Sequence, residues 1–525
     1  MTIDKKDTIP VTTDVTIGRV AKNTFLNYIN SVVSLLSGIF ISIIVARSLG
    51  PDKLGAYSGI SYLVGLIVTI FSLGLGSTII KILSEYSARF GYPVVRRVLR
   101  MIVFGVAIPA SIAALTTWGA TQALNHDQRY TTLMIIVAAF SVYPLFFSQI
   151  YRSIVTGLQD FGFLLRINLI STFILLIGTI VVRFVQPSIV GYLLIGVVAN
   201  LFTSLIIAIK YRHILSTQKT DQELPPGISR EIFSYLWPIA IISILDMIVW
   251  QYSEILFLGA FRPSREVAFY TMAFTLATLL LRGIASSVTA AFLPAMSQLF
   301  GQGDKLRIGA AYQSGTRFTM IVAFSLAAIV AGLAREIIML FYGVDFSPAA
   351  TYVPFLVISA AFATVAGIGA DVLNASRKQL SMLKLSAVIA GVNLILDAFL
   401  IAPYGIAGAV AANVIAQLAG VIGVARLVEK QLDQKIPIHS YFRPLIAAVC
   451  STGIIFPLSY VFHGWSGLVV HGLIGMLVIF VFLRLFRAMS HKETEIISDV
   501  ISHAPPILQR PGRRLIQFLA PGINQ

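Results

Sequence analysis

About fourteen stretches of this chain are each long and apolar enough to cross a bilayer, and little of the chain is left outside them. They fall at roughly 24–49, 55–83, 98–122, 131–155, 162–184, 188–213, 232–259, 266–296, 311–333, 350–373, 379–402, 404–428, 441–463 and 465–487. A helix of about 20 apolar residues matches the hydrocarbon thickness. In lipid the backbone must satisfy its own hydrogen bonds, which the helix does internally. The expected fold class is therefore all-α integral membrane, with about 14 transmembrane helices. The least distinct boundaries lie around Gln186-Pro187 and Pro403-Tyr404.

Charge supports this reading. Only 12% of the 525 residues are charged, against about 25% in soluble domains. The net charge of +16 does not point to nucleic acid, because the basic residues sit in short segments between apolar runs. With the N-terminus taken as cytoplasmic, that side collects 31 of the 39 Lys and Arg, among them Arg19 and Lys22, Arg96, Arg97 and Arg100, Arg152 and Arg166, Lys210, Lys305 and Arg307, Lys378 and Lys384, and Arg426 and Lys430. The other side holds only Arg47, Lys53, Arg129, Arg183, Arg262, Arg265 and Arg335. The asymmetry is about fourfold along the whole chain, and it places both termini in the cytoplasm of a multi-pass cell-membrane protein. Residues 1–22 are polar and carry no signal-peptide pattern.

Six runs precede a polar segment containing Asp221-Gln-Glu-Leu-Pro-Pro-Gly227, a linker composition. The expected organisation is an N-lobe at 1–213, a cytoplasmic linker at 214–231, a C-lobe at 232–428, two further helices at 429–487 and a basic tail at 488–525. The end of the first run, Ala46-Arg-Ser-Leu-Gly-Pro51, is echoed after the seventh by Gly259-Ala-Phe-Arg-Pro263. This weak repeat keeps its order at a shift of roughly 213–218 residues. Parallel six-helix repeats put a substrate site at the lobe interface near the midplane.

Charges inside apolar runs need an explanation, because each costs at least a few kcal/mol at bilayer depth. Asp246 and Glu254 lie in the seventh run, on a stripe with Ser243, Trp250 and Phe257 spaced by three and four. Arg282 in the eighth run lies within about 5 Å of the depth of Asp246, counted from the intervening turn, so an Asp246–Arg282 pair is expected. Other runs carry polar stripes: Asn23, Asn27, Asn30, Ser34 and Ser37; Ser386, Asn393 and Asp397; Asn413 and Gln417. Several such stripes imply a shared hydrated cavity. The plainer alternative for Asn27, Asn30, Asn413 and Gln417 is hydrogen bonding that holds helices together. Asp371 and Glu85 read as residues of the cytoplasmic boundary.

Several classes are excluded. There is no phosphate-cradling Gly-x-x-x-x-Gly-Lys-Ser/Thr loop and no channel-filter stretch. The seven His are scattered, and the single Cys450 excludes an internal disulfide or a cysteine-held metal. No catalytic residue, metal site or cofactor is expected. A secondary transporter driven by H⁺ or Na⁺ remains, with the buried acids as coupling groups. An integral-membrane glycan polymerase or ligase is disfavoured, because the external segments are short.

Arg47-Ser-Leu-Gly-Pro-Asp-Lys-Leu-Gly-Ala-Tyr57, followed by Ser72-Leu-Gly-Leu-Gly76, resembles the opening of polysaccharide-lipid flippases of the Wzx type. Leu396-Asp-Ala-Phe-Leu-Ile-Ala-Pro-Tyr-Gly-Ile-Ala-Gly-Ala-Val-Ala411 resembles a later signature of the same family. The resemblance implies the multidrug/oligosaccharidyl-lipid/polysaccharide exporter superfamily: two six-helix lobes in a V, often with two extra C-terminal helices. It implies flipping of a polyprenyl-pyrophosphate-linked glycan, with membrane lipids and glycan assembly proteins as partners. A lipid II or multidrug exporter of that superfamily is the alternative. The chain departs from the family at Asp397, where Asn is frequent, and in having Arg282 as its one deep cation. Arg47 and Arg183 at outer helix ends are candidates to assist.

Overall fold

The computed structural model describes residues 17–211 and 253–488 apart from 73, 90, 126–128, 303–304, 377, 434–437, 459–463 and 487, together with 236–237, 239–241 and 244–245. Every regular element among them is helical. The chain forms two compact units, Met1–Tyr252 and Ser253–Gln525. The division falls inside the seventh apolar run; the expected linker at 214–231 and the tail from Met489 lie outside the described residues.

The first unit contains α1 (Ile17–Ser72), α2 (Leu75–Arg89), α3 (Gly91–Gly105), α4 (Ala107–Ala123), α5 (Thr132–Gly157), α6 (Phe161–Val185) and α7 (Ile189–Lys210). Two expected runs join in α1, which kinks at Gly50 (φ 69°) ahead of Pro51. Proline suits the first turn of the helix that follows, where its missing N–H is not needed. The boundary at Gln186-Pro187 is a real break, and Ser188 caps α7 by accepting from the Gly191 N–H at 3.1 Å. The α5–α6 turn is held at Asp160. Its Oδ1 accepts from the Phe163 N–H at 3.2 Å, an N-cap. Its Oδ2 accepts from Lys210 Nζ at 2.5 Å and from the Tyr211 hydroxyl at 2.9 Å, and Lys210 also sits 3.5 Å above the Phe163 ring centroid. Burial raises the Asp160 carboxyl, but the bonds and charge of Lys210 and Tyr211 outweigh burial and hold it below the ordinary carboxylate range.

The second unit contains α8 (Ser253–Phe261), α9 (Ser264–Gln302), α10 (Lys305–Gly332), α11 (Ala334–Phe341), a 3₁₀ segment (Val344–Thr351), α12 (Val353–Ala375), α13 (Gln379–Tyr404), α14 (Ile406–Leu432), α15 (Ile438–Leu458) and α16 (Gly464–Leu485). Helix α12 packs against α9, α10 and α14. Near the end rich in Lys and Arg, Met296, Ile308, Tyr312, Ile368, Val372, Val424 and Val428 form one apolar core. Helices α15 and α16 pack on α10, and α16 is tied to α11 by a bond between His471 Nδ1 and Glu336 Oε1. Both side chains are almost wholly buried, at 0% and 3% exposure.

Among the described residues ten helices are long and apolar enough to cross a membrane, and α15 contains a shorter apolar one. Large apolar side chains such as Phe184, Phe399, Leu473 and Leu477 are exposed on the surface. In water such a surface would be an association hazard; for a chain solvated by acyl chains it is the expected exterior.

Candidate functional site

The second unit buries a continuous chain of polar side chains drawn from four helices. Ser359 on α12 donates to Asn413 Oδ1 on α14 at 2.7 Å. The Asn413 amide donates to Glu254 Oε1 on α8 at 2.9 Å. Ser253 donates to Glu254 Oε2 at 3.4 Å and accepts from the Asn393 amide on α13 at 2.7 Å. The same amide reaches Asp397 Oδ2 at 3.4 Å. Glu254 is 1% exposed, and Asn393 and Asp397 are 0% exposed.

This arrangement is unbalanced in charge. Two carboxylates share one hydrogen-bonded chain, and every donor that reaches them among the described residues is neutral. No cation among the described residues pairs with either acid. Asp397 Oδ1 and Asn393 Oδ1 are buried and meet no donor among the described residues. Buried polar oxygens are costly when unmet, and two neighbouring carboxylates in a medium of low dielectric cannot both remain bare anions. A proton, or a small cation that oxygen atoms can surround, resolves both problems at one place.

Local sequence explains the position. At 1.5 Å per residue, Glu254 lies about 12 Å from the turn at Arg262, and Asp397 and Asn413 each lie about 12 Å from the turn at Gly405. The two turns are stapled together. Arg262 pairs with Glu266 at 3.0 Å, and Glu266 Oε2 accepts from the Ile406 N–H at 3.2 Å, capping α14. Gly405 has φ 56°, in the left-handed region that glycine enters freely, and a Cβ there would lie 2.2 Å from Glu266 Oε2. At Gly408 a Cβ would lie 2.1 Å from the Leu400 carbonyl oxygen. The small residues of Gly405–Ala412 thus let α13 and α14 close over the acids, as the close-packing reading of that run requires.

The first unit carries a second polar layer. Asn168 on α6 donates to Asn30 Oδ1 on α1 at 2.8 Å, so Asn30 is engaged in a helix–helix bond. Ser148 on α5 donates to Asn200 Oδ1 on α7 at 2.7 Å, and Arg152 one turn further along α5 donates to Thr203 Oγ1 at 3.4 Å. Arg152 is half-buried, and that hydroxyl is its one hydrogen-bond partner among the described residues. By sequence Arg152 groups with the basic loops, which leaves Arg282 as the single deep cation. In the fold Arg152 sits five residues inside α5, with its charge unmatched by any described carboxylate. The signal for it is the polar spacing Ser148/Arg152 facing Asn200/Thr203.

Of the other expected site residues, Arg47 is exposed at the kink of α1. Asp246 and Trp250 lie outside the described residues, as do the side chains of Arg282 and Asn27. Glu254 and Asp397, expected separately, come together. Asp371, expected at a boundary, is buried, and its Oδ2 meets no donor among the described residues.

The family model for polysaccharide biosynthesis proteins matches residues 20–300, and the MatE model matches residues 238–399. An uncharacterised membrane protein of Methanocaldococcus jannaschii is 23% identical over 388 residues, 70% of this chain and 76% of that protein. Among solved structures, the inward closed conformation of the lipid II flippase MurJ is 16% identical, with a TM-score of 0.67 over 89% of this chain and 98% of that one. An inward-facing multidrug resistance transporter of the MATE family is also 16% identical, with a TM-score of 0.62 over 76% of this chain and 95% of that one. At these identities the likeness is one of fold.

Proposed function

We propose a substrate and a mechanism for a chain that belongs to the polysaccharide biosynthesis protein family: it moves a lipid-linked oligosaccharide or polysaccharide repeat unit across the cell membrane by alternating access, driven by an ion gradient. The observation that carries this reading is the pair of buried acids, Glu254 and Asp397, on one hydrogen-bonded chain in which Asp397 Oδ1 and Asn393 Oδ1 meet no donor among the described residues. A static membrane scaffold gains nothing from such a charge imbalance; a coupled transporter needs a group whose occupancy by H⁺ or Na⁺ changes during the cycle. The distribution of basic loops supports cytoplasmic termini. The substrate is a polyprenyl-pyrophosphate-linked glycan. Its anionic phosphates need a cation, and Arg152 and Arg282 are the candidates within apolar helices. Asp246 is a further titratable group in the cycle. No catalytic step is assigned.

Translocation of a fluorescent lipid-linked oligosaccharide in vesicles tests the proposal. Glu254→Gln and Asp397→Asn should reduce gradient-driven flipping by about 5- to 150-fold, the range of a typical coupling free energy, and leave slow equilibration. Arg152→Gln, Arg282→Ala and Asp246→Asn should each lower flipping. Normal gradient-driven flipping by both acid variants would refute the coupling role. A lipid-linked cell-wall precursor is the second substrate reading, because the fold of a lipid II flippase spans 89% of this chain. Complementation of strains lacking either flippase separates the two.

A further inference from the structure

The two helices that hold Asn393, Asp397 and Asn413 on their inner faces carry an unusual pattern on their outer ones. On α13 the exposed stripe is Leu380, Lys384, Val388, Ile395 and Phe399, with Leu380 and Phe399 each 74% exposed. On α14 it is Ile415, Ile422, Arg426 and Lys430. Each stripe is apolar through most of its length and becomes basic at the same end of the unit. Lys384 lies about 8 Å inside the start of α13 and Arg426 about 9 Å inside the end of α14, so they share a level.

They also share a side. The antiparallel helices touch where a Cβ on Gly423 would lie 2.5 Å from Leu385 Cδ1. Counting about 100° per residue from that contact, Lys384 and Arg426 project to the same flank of the pair, with Lys430 between them. None of the three cations forms a hydrogen bond or ion pair with a described residue. The acids nearest in sequence do not answer them. Glu429 is half-buried, whereas the three cations are exposed, Asp371 is buried on α12, and Asp433 lies past the helix end with φ 55°.

We propose that Lys384, Arg426 and Lys430 form a binding site for the phosphate headgroup of an anionic phospholipid, whose acyl chains lie along the apolar stripes of α13 and α14. Three cations on one flank at the edge of an apolar face complement a negatively charged headgroup, and lysine or arginine near a helix end reaches outward to that level. The continuous apolar rows beside the cations select a lipid over a free phosphate. Such a lipid grips both helices that close over Glu254 and Asp397.

The test uses the purified full-length chain in mixed micelles of phosphatidylcholine and phosphatidylglycerol, with retained lipids counted by native mass spectrometry. The parent should retain phosphatidylglycerol preferentially. Lys384→Gln, Arg426→Gln and Lys430→Gln should each lower that preference by about fivefold, and the exchange Lys384→Arg with Arg426→Lys should keep it. Arg166→Gln, at an exposed basic residue of the other unit, should leave it unchanged. Unchanged retention in all three glutamine variants, or an equal loss on Arg166→Gln, overturns the proposal.

Discussion

Asn413 links two helices to the buried chain, since it accepts from Ser359 and donates to Glu254. Asn413→Leu keeps the volume but leaves a carboxylate oxygen and a hydroxyl without partners. We expect a loss of about 1–3 kcal/mol, read as a lower thermal midpoint in detergent, with Ser359→Ala milder because it removes its own donor. Depth within apolar runs, a local property, is enough to single out Glu254, Asp397, Asn393 and Asn413 by sequence. It does not assemble them, because their bonds join positions 140 and 159 residues apart and nothing in a single sequence encodes such contacts. Arg152 escapes for a related reason: helix limits read from hydropathy are uncertain by a turn, enough to move a cation from loop to bilayer.

Among the elements, the turns show how little room the helices leave. Gly408→Ala must push α14 away from the Leu400 carbonyl and should cost about 1–3 kcal/mol. Gly367→Ala on α12, where a Cβ meets nothing within 4 Å, should gain up to about 1 kcal/mol from helix propensity. Unfolding midpoints of the two variants should therefore move in opposite directions. The Asp160 corner makes a pH prediction. Its carboxyl is held below its ordinary range, so its contribution is present above about pH 4 and disappears as pH falls through the folded-state value. Lys210 and Asp160 are each more than a third exposed or close to it, so the effect is limited to about 1 kcal/mol or less. Asp160→Asn should remove that acid-sensitive part of the midpoint while keeping the cap. Most elements are legible in the sequence, because a bilayer demands about 20 apolar residues per crossing. The kinked union of two runs at Gly50 is not, since Gly-Pro reads equally as a loop or as a bend inside one helix.

For the whole molecule, the question is whether α15 and α16 are an appendage or part of the second unit. The buried bond between His471 and Glu336 makes them part of it. His471→Leu alone strands a buried carboxylate and should destabilise by about 3–5 kcal/mol, whereas the double replacement with Glu336→Leu should recover most of the loss. A double-mutant cycle on unfolding midpoints measures that coupling. The same bond sets a rule of inheritance. A lineage that changes either partner first passes through a crippled intermediate, so among descendants of a common ancestor these two positions should be kept together or replaced together, and intermediates carrying one without the other should be rare.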